Sequence, residues 1–331
     1  MLPLPSEAGA YLVIKGYGGG EMDLFGEFFH AMQDMTLVSF AQHMVNGISL
    51  GSLYALIAIG YTMVYGILLM INFAHGDIVM MACYFAFFGI TVFHIPWYIT
   101  FVGVIVATAL LGVLIERAAY RPLREAPKNS VLISAIGASF LLENLANYLF
   151  SGRPLRFPEI PLLTQNIAVG GVQIQSICLV IPVMTLLSLV LLLHIVNHTK
   201  TGMAMRAVSK DYEIARVMGI NIDRVISTTF IIGSALAAIG AFMWGVRYPG
   251  ITPMLGVMPG LKCFIAAVIG GIGNIKGAVI GGFILGLGEV LIVAFFPQLS
   301  GYRDAFAFIV LIIILFYKPT GLLGEKTTEK V

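Results

Sequence analysis

The sequence predicts an all-α, polytopic transmembrane bundle of eight or nine spans, with one long polar helical loop on its cytoplasmic side. Three observations carry this. Hydrophobic residues make up 59% of the 331 positions and charged residues only 11%, whereas a water-facing domain carries about 25% charged residues. The mean hydropathy is +0.94. Apolar stretches near the length needed to cross a bilayer, about 20 residues, recur along the chain.

The net charge of +2 argues against a nucleic-acid partner. Cys83, Cys178 and Cys263 lie far apart in apolar sequence with no CxxC, so they read as membrane-core cysteines and not as metal ligands. The 37 glycines point to close helix packing.

Residues 1–38 form a tail. The start lacks the basic region and long apolar core of a secretory signal, and 1–23 is expected to be poorly ordered or to lie outside the membrane. Over 24–38, Phe25, Phe28, Phe29 and Met32 share one side at helical spacing. Glu27, His30, Gln33 and Asp34 make this a poor span and favour an interfacial helix.

The membrane domain covers 39–324 and a short cytoplasmic tail 325–331. Candidate spans are 40–65, 77–95, 97–118, 131–150, 176–196, 225–246, 260–272, 278–296 and 303–317. The seventh is short and reads as a broken or re-entrant piece. Basic residues sit in 117–128 (Arg117, Arg121, Arg124, Lys128), in 197–224 (Lys200, Arg206, Lys210, Arg216, Arg224) and in the tail (Lys318, Lys326, Lys330). With nine spans these share one side, and the excess of Lys and Arg makes that side cytoplasmic. The C-terminus is then inside and the N-terminus outside.

Two glycine rows, Gly273/Gly277/Gly281 and Gly282/Gly286, strip side chains from helix faces. They read either as packing surfaces or as a hinge or path-lining helix. A weak echo between GSLYALIAIGYTMVYG (51–66) and GSALAAIGAFMWG (233–245) suggests an internal repeat.

The loop 197–224, NHTKTGMAMRAVSKDYEIARVMGINIDR, is helical in pattern. Ala204, Ala207, Val208, Ile214, Ala215, Val217 and Met218 supply an apolar face, and Gly202 and Gly219 read as helix stops. Such a face either docks in a partner's groove or lies on lipid or its own bundle.

The string from Glu213 to Gly219 resembles the EAA-type loop of ABC importer permeases, an acidic–x–Ala core followed by Gly. The resemblance implies a coupling helix seated in a cleft of an ATPase subunit. Glu213, Ala215 and Gly219 would be its core, with Arg206, Asp211 and Arg216 flanking.

Further blocks are similar to branched-chain amino-acid importer permeases of the LivH type. These are GSLYALIAIGYTMVYGILLMINFAHGD (51–77), ERAAYRPLR (116–124), GGIGNIKGAVIGGFILGLGE (270–289) and RDAFAFIVLIIILFYKPTGLLG (303–324). The likeness runs from about residue 40 to 324. The departures are a longer start and Lys276, where the family more often has a small or apolar residue. The resemblance implies two ATPase subunits, a second homologous permease, a periplasmic binding protein and a bacterial inner membrane. The cargo would be leucine, isoleucine, valine or a related small polar solute.

Within 65–77, Asn72, His75 and Asp77 interrupt apolar sequence beside Gly66 and Gly76. Buried polar groups in a membrane need partners or water. The break reads as a path-lining turn or as a cytoplasmic helix–turn–helix. No third ligand accompanies His75 and Asp77, so a metal is not expected. Glu143, with Asn144 and Asn147 nearby, and Glu289 are isolated acids in spans. They suit either a translocation path or hydrogen bonds between helices, and a transporter driven by an ion gradient would use them as proton carriers. No GxxxxGK[ST], GxSxG or HExxH occurs. No catalytic residue or cofactor is therefore expected, and ATP chemistry would belong to another chain.

Overall fold

The computed structural model describes residues 13–15, 21–23, 35–68, 70–124 and 126–324. The expected interfacial helix over 24–38 lies largely outside them. In the tail, β1 (Val13–Lys15) pairs antiparallel with β2 (Glu21–Asp23).

Among the described residues, eight helices are long and apolar enough to cross a membrane, and one apolar helix is shorter. The long helices are α1 (Leu37–Leu68), α2 (His75–Phe87, continuing as a π turn to Val92), α3 (Trp97–Ile115, continuing to Leu123) and α4 (Lys128–Phe150). After a one-turn helix α5 (Pro161–Thr164) follow α6 (Ser176–His198), α9 (Ile222–Arg247), α11 (Ile275–Phe295) and α12 (Arg303–Tyr317). Between α6 and α9 stand α7 (Lys200–Lys210) and α8 (Tyr212–Val217). The short apolar helix is α10 (Val257–Gly270). At 1.5 Å per residue its 14 residues span about 21 Å, well under the roughly 30 Å hydrocarbon core.

Short strands complete one end. They are β3 (Leu155–Arg156) with β6 (Gly250–Ile251), and β4 (Asn166–Val169) with β5 (Val172–Gln175). Arg247 ties this end together, donating to Gln175 Oε1 at 2.7 Å and to Asn46 Oδ1 at 3.0 Å.

The central helix is α1, buried throughout Ser49–Val64. It packs most extensively on α11. Gly273 precedes α11, and the remaining glycines of the two rows face different neighbours. A Cβ on Gly286 would lie 2.2 Å from the Gly51 nitrogen, and one on Gly282 would lie 2.5 Å from the Ala55 nitrogen, both on α1. A Cβ on Gly281 would lie 1.9 Å from the Ala266 carbonyl of α10, and one on Gly277 would lie 2.3 Å from that of Gly270. Both rows are therefore backbone-on-backbone packing surfaces. The segments of the weak internal echo also meet, on α1 and α9. A Cβ on Gly60 would lie 2.7 Å from the Gly233 carbonyl oxygen.

Two helices start inside the bundle. The His75 Nε2 lies 3.3 Å from the Ile57 carbonyl, and its ring stands beside Gly60. Those residues are 8 to 11 positions before the end of α1, so α2 begins about 12–16 Å from that end. The start of α10 abuts it, for a Cβ on Gly76 would lie 2.4 Å from the Gly256 carbonyl.

The chain after α12 returns to the opposite end of the bundle. Leu322 and Leu323 donate backbone hydrogen bonds to Ile269 and Gly270, at 2.8 and 2.9 Å. Gly273, Gly66 and the α7 residues Met205 and Arg206 line one cavity at that end. The segment 318–324 and the α7–α8 loop thus share one end.

Candidate functional site: a helical loop at one end and a polar chamber inside the bundle

The loop begins where Thr199 accepts a hydrogen bond from the Gly202 amide at 3.1 Å, capping α7. Asp211 caps α8 by accepting from the Ile214 amide at 3.0 Å. Asn221 caps α9 by accepting from the Arg224 amide at 3.1 Å. Three caps within this stretch fix where each helix starts, which the short α7 and α8 need most. Gly219 ends α8 at φ +82°, with its amide on the Arg216 carbonyl and the Ile220 amide on the Ala215 carbonyl, each at 3.1 Å. An L side chain adopts that backbone region at a cost. Gly202 plays a different part from the helix stop expected of it. It sits in the first turn of α7, where a Cβ would come 2.2 Å from the Ile195 carbonyl, so it permits close approach to the end of α6.

The apolar face of the loop splits in two. Met205, Val208 and Ala215 are buried against the bundle, while Ile214, Val217 and Met218 are exposed, Val217 by 87%. Glu213 and Arg216 flank this exposed edge and are themselves exposed. Arg206 donates to Asn197 Oδ1 at 3.2 Å, which turns it back toward α6.

A charged clasp missed from the sequence joins this loop to the spans. Arg124 donates to Glu116 Oε1 at 2.8 Å and to Asp223 Oδ1 at 2.5 Å. Arg121 also pairs with Asp223, and Ser227 donates to Glu116 Oε2 at 2.9 Å. Glu116 is fully buried, so it depends on Arg124 and Ser227. The clasp locks the end of α3 to the first turns of α9, directly after α8. The legible signal was an acid at the end of a span followed by two arginines. The partner Asp223 was not visible.

The second site is a half-open chamber of about 210 Å³ beside the starts of α2 and α10, flanked on a third side by α4. Four polar residues from the expected set or near it line it: Asn72, Asp77, Ser139 and Glu143. Ser139 donates to Asp77 Oδ2 at 2.5 Å. Tyr120 donates to Asn72 Oδ1 at 2.8 Å, and the Asn72 Nδ2 is buried with no partner. The break at 65–77 thus places Asn72 and Asp77 on the lining of this cavity. His75 is drawn into packing instead, edge-on to Tyr61.

Glu289 stands apart from this chamber. Lys262 reaches Glu289 Oε1 at 2.9 Å and Asp304 Oδ1 at 2.7 Å, and Tyr54 donates to Glu289 Oε2 at 3.0 Å. Lys262 Nζ also lies 5.7 Å from the centre of the Tyr54 ring. This network joins α1, α10, α11 and α12, and Lys262 is the residue that the sequence reading missed. Among the described residues, no cluster of His, Cys, Asp and Glu could hold a metal ion.

Fold and sites together define a multi-pass helical membrane protein with a polar chamber inside its bundle and a protruding helical loop at one end. Residues 43–315 match the family described as branched-chain amino acid transport system / permease component, and the chain belongs to that family. It is 43% identical over 305 residues to the high-affinity branched-chain amino acid transport system permease protein LivH of Escherichia coli, covering 88% of this chain and 98% of the relative. It is 42% identical over 307 residues to the corresponding permease protein BraD of Pseudomonas aeruginosa, at the same coverage. A probable branched-chain amino acid permease of Methanocaldococcus jannaschii is 27% identical over 287 residues, covering 82% of this chain and 89% of the relative. Among solved structures, PsaBC from Streptococcus pneumoniae in complex with Fab is similar with a TM-score of 0.45 at 15% identity, over 89% of this chain and 96% of that one.

Proposed function

We propose that this chain is the membrane permease of an ABC importer for branched-chain amino acids, with the α7–α8 loop as the docking element for ATPase subunits. The observation that carries the mechanical part is the exposed edge of Ile214, Val217 and Met218 on a short, doubly capped helix at one end of the bundle. Such an edge fits a hydrophobic groove, and the flanking Glu213 and Arg216 set its register. Its relatives' names support the cargo, leucine, isoleucine or valine. The chain itself then performs no catalysis, and the energy comes from ATP bound by partners.

The end bearing the loop faces the cytoplasm, because it also gathers the basic loops and the C-terminal segment. The setting is a bacterial inner membrane. The assembly would hold two ATPases, a second homologous permease and a periplasmic binding protein. ATP binding would close the ATPases, push the loop, and so select one access state over the other.

The test is reconstitution of the assembled complex in proteoliposomes. ATP-dependent leucine uptake that needs the co-purified ATPases is the expected result. Uptake driven by a proton gradient, without ATP or ATPases, would instead establish a secondary transporter and overturn this reading.

A further inference from the structure

We propose that the chamber between the starts of α2 and α10 is a resting site for the substrate inside the membrane, built for a zwitterion with an apolar side chain. This assignment rests on the amino-acid transport reading and adds to it a place, an orientation and a set of residues.

Two opposite demands are present in one small space. Asp77 and Glu143 both line it, and neither pairs with a cation among the described residues. Asp77 is 2% exposed. An unbalanced carboxylate is costly at that depth, and an ammonium group between the two would remove the imbalance. On the other side stand donors without acceptors. The Asn72 Nδ2 has no partner, although the residue is 2% exposed. The Tyr61 hydroxyl, near the Asn72 backbone, makes no full hydrogen bond either.

The start of α10 adds to these donors. Its N-cap position, Gly256, offers no side-chain cap, and no acid stands in its first turn. The start of α2 differs, because Asp77 occupies its first turn. The positive end of the α10 dipole therefore favours a carboxylate. A single helix start would say little. The orphaned amide of Asn72 beside it defines the anionic pole of a ligand.

Between the poles the walls are apolar, from Ile136, Phe140, Leu261 and Phe264. The volume of about 210 Å³ equals that of about seven waters at roughly 30 Å³ each, the scale of one small amino acid. The ligand thus lies with its ammonium toward Asp77 and Glu143, its carboxylate toward Asn72 and the start of α10, and its side chain on the apolar wall.

The experiment uses the complete complex in nanodiscs carrying Ile136→Cys, labelled with a polar maleimide. The native cysteines are buried. Saturating leucine should slow labelling at least tenfold. Neither 4-methylpentanoate, which lacks the ammonium, nor isoamylamine, which lacks the carboxylate, should protect at the same concentration. Asn72→Ala and Asp77→Asn, each in the Ile136→Cys background, should raise the protecting leucine concentration by about tenfold, the loss expected when one hydrogen bond to a charged group is removed. Gel filtration confirms assembly of each variant, and Asn72→Ala serves where Asp77→Asn does not assemble. Unchanged labelling with leucine, or equal protection by the two half-molecules, overturns the site. ATP-driven leucine uptake by the wild-type complex is measured in parallel. Uptake without protection rejects the resting site and leaves the permease reading standing, whereas protection without uptake upholds the site and rejects the importer reading.

Discussion

Gly219 gives the sharpest test of the loop, because its requirement can be separated into conformation and space. It sits at φ +82°, and a Cβ built there meets nothing within 4 Å. A side chain therefore does not collide within this chain, and the cost is one of backbone conformation alone. For an ordinary L residue that cost is roughly 1–2 kcal/mol. Asn tolerates this region and Val tolerates it least. If ATPase docking selects the wild-type exit from α8, destabilising it by 1–2 kcal/mol lowers the competent population by about 5–30-fold. The assay is leucine transported per ATP hydrolysed in proteoliposomes, compared across Gly219→Asn, Gly219→Ala and Gly219→Val. Asn should stay within about threefold of wild type, Ala should fall further, and Val should uncouple most strongly. Asn as poor as Val would show that the docked partner excludes any side chain, and the conformational argument would be wrong. Normal coupling in all three would remove Gly219 from the docking element.

The other expectations concern stability and assembly. Lys262→Met leaves Glu289 buried with only Tyr54, a loss of about 3–5 kcal/mol that should lower the thermal midpoint of the purified complex. The double variant Lys262→Met/Glu289→Gln should recover much of that midpoint, since the charge then left without Lys262 is Asp304, which is half-exposed. Glu116→Gln keeps the shape and the Ser227 contact but weakens the hold on Arg124 by about 1.5–3 kcal/mol. Limited proteolysis of the α7–α8 loop should quicken in that variant. Gly286→Leu places a side chain where a Cβ already falls 2.2 Å from the Gly51 backbone, so membrane-inserted, folded protein should be nearly absent on fluorescence-detected gel filtration.

Spans were legible because the bilayer demands apolar length, and their observed limits differ by a few residues from those read in the sequence. The short seventh segment was also legible, since 260–272 is too brief to cross and its helix, Val257–Gly270, proves equally brief. What escaped were pairings between distant residues. Lys262 drew no attention in an apolar run, and only the fold closes Glu289 and Asp304 on it. Glu143 and Glu289 looked alike as sequence, yet one faces a chamber and the other an ammonium group. Gly202 was misread because close approach and helix termination use the same residue, and only a packed neighbour tells them apart. The short strands at the far end left no alternating pattern long enough to register.

The path from loop to chamber follows from where the chain has no slack. Asn221 starts α9 two residues after Gly219, and the Asp223–Arg124–Glu116 clasp binds that start to α3. A push on α8 is therefore shared by α3 and α9. Higher up, Gly112 lets α3 approach α9 closely, since a Cβ there would lie 2.0 Å from the Ser234 hydroxyl and 3.2 Å from the Phe230 carbonyl. One position before, Gly233 meets Gly60, and His75 at the start of α2 closes the third side. Side chains can repack to absorb a small shift, but backbone atoms in direct contact cannot. Motion of α9 against α1 must then displace the start of α2, which forms one wall of the chamber. Gly60→Ala tests this, because its Cβ would stand 2.7 Å from the Gly233 carbonyl and force the helices apart. Gly233→Ala meets its nearest neighbour at 3.0 Å and needs less adjustment. Leucine uptake should fall more in Gly60→Ala than in Gly233→Ala while ATPase subunits still co-purify. Equal, wild-type uptake in both would mean that the loop reaches the chamber by another route.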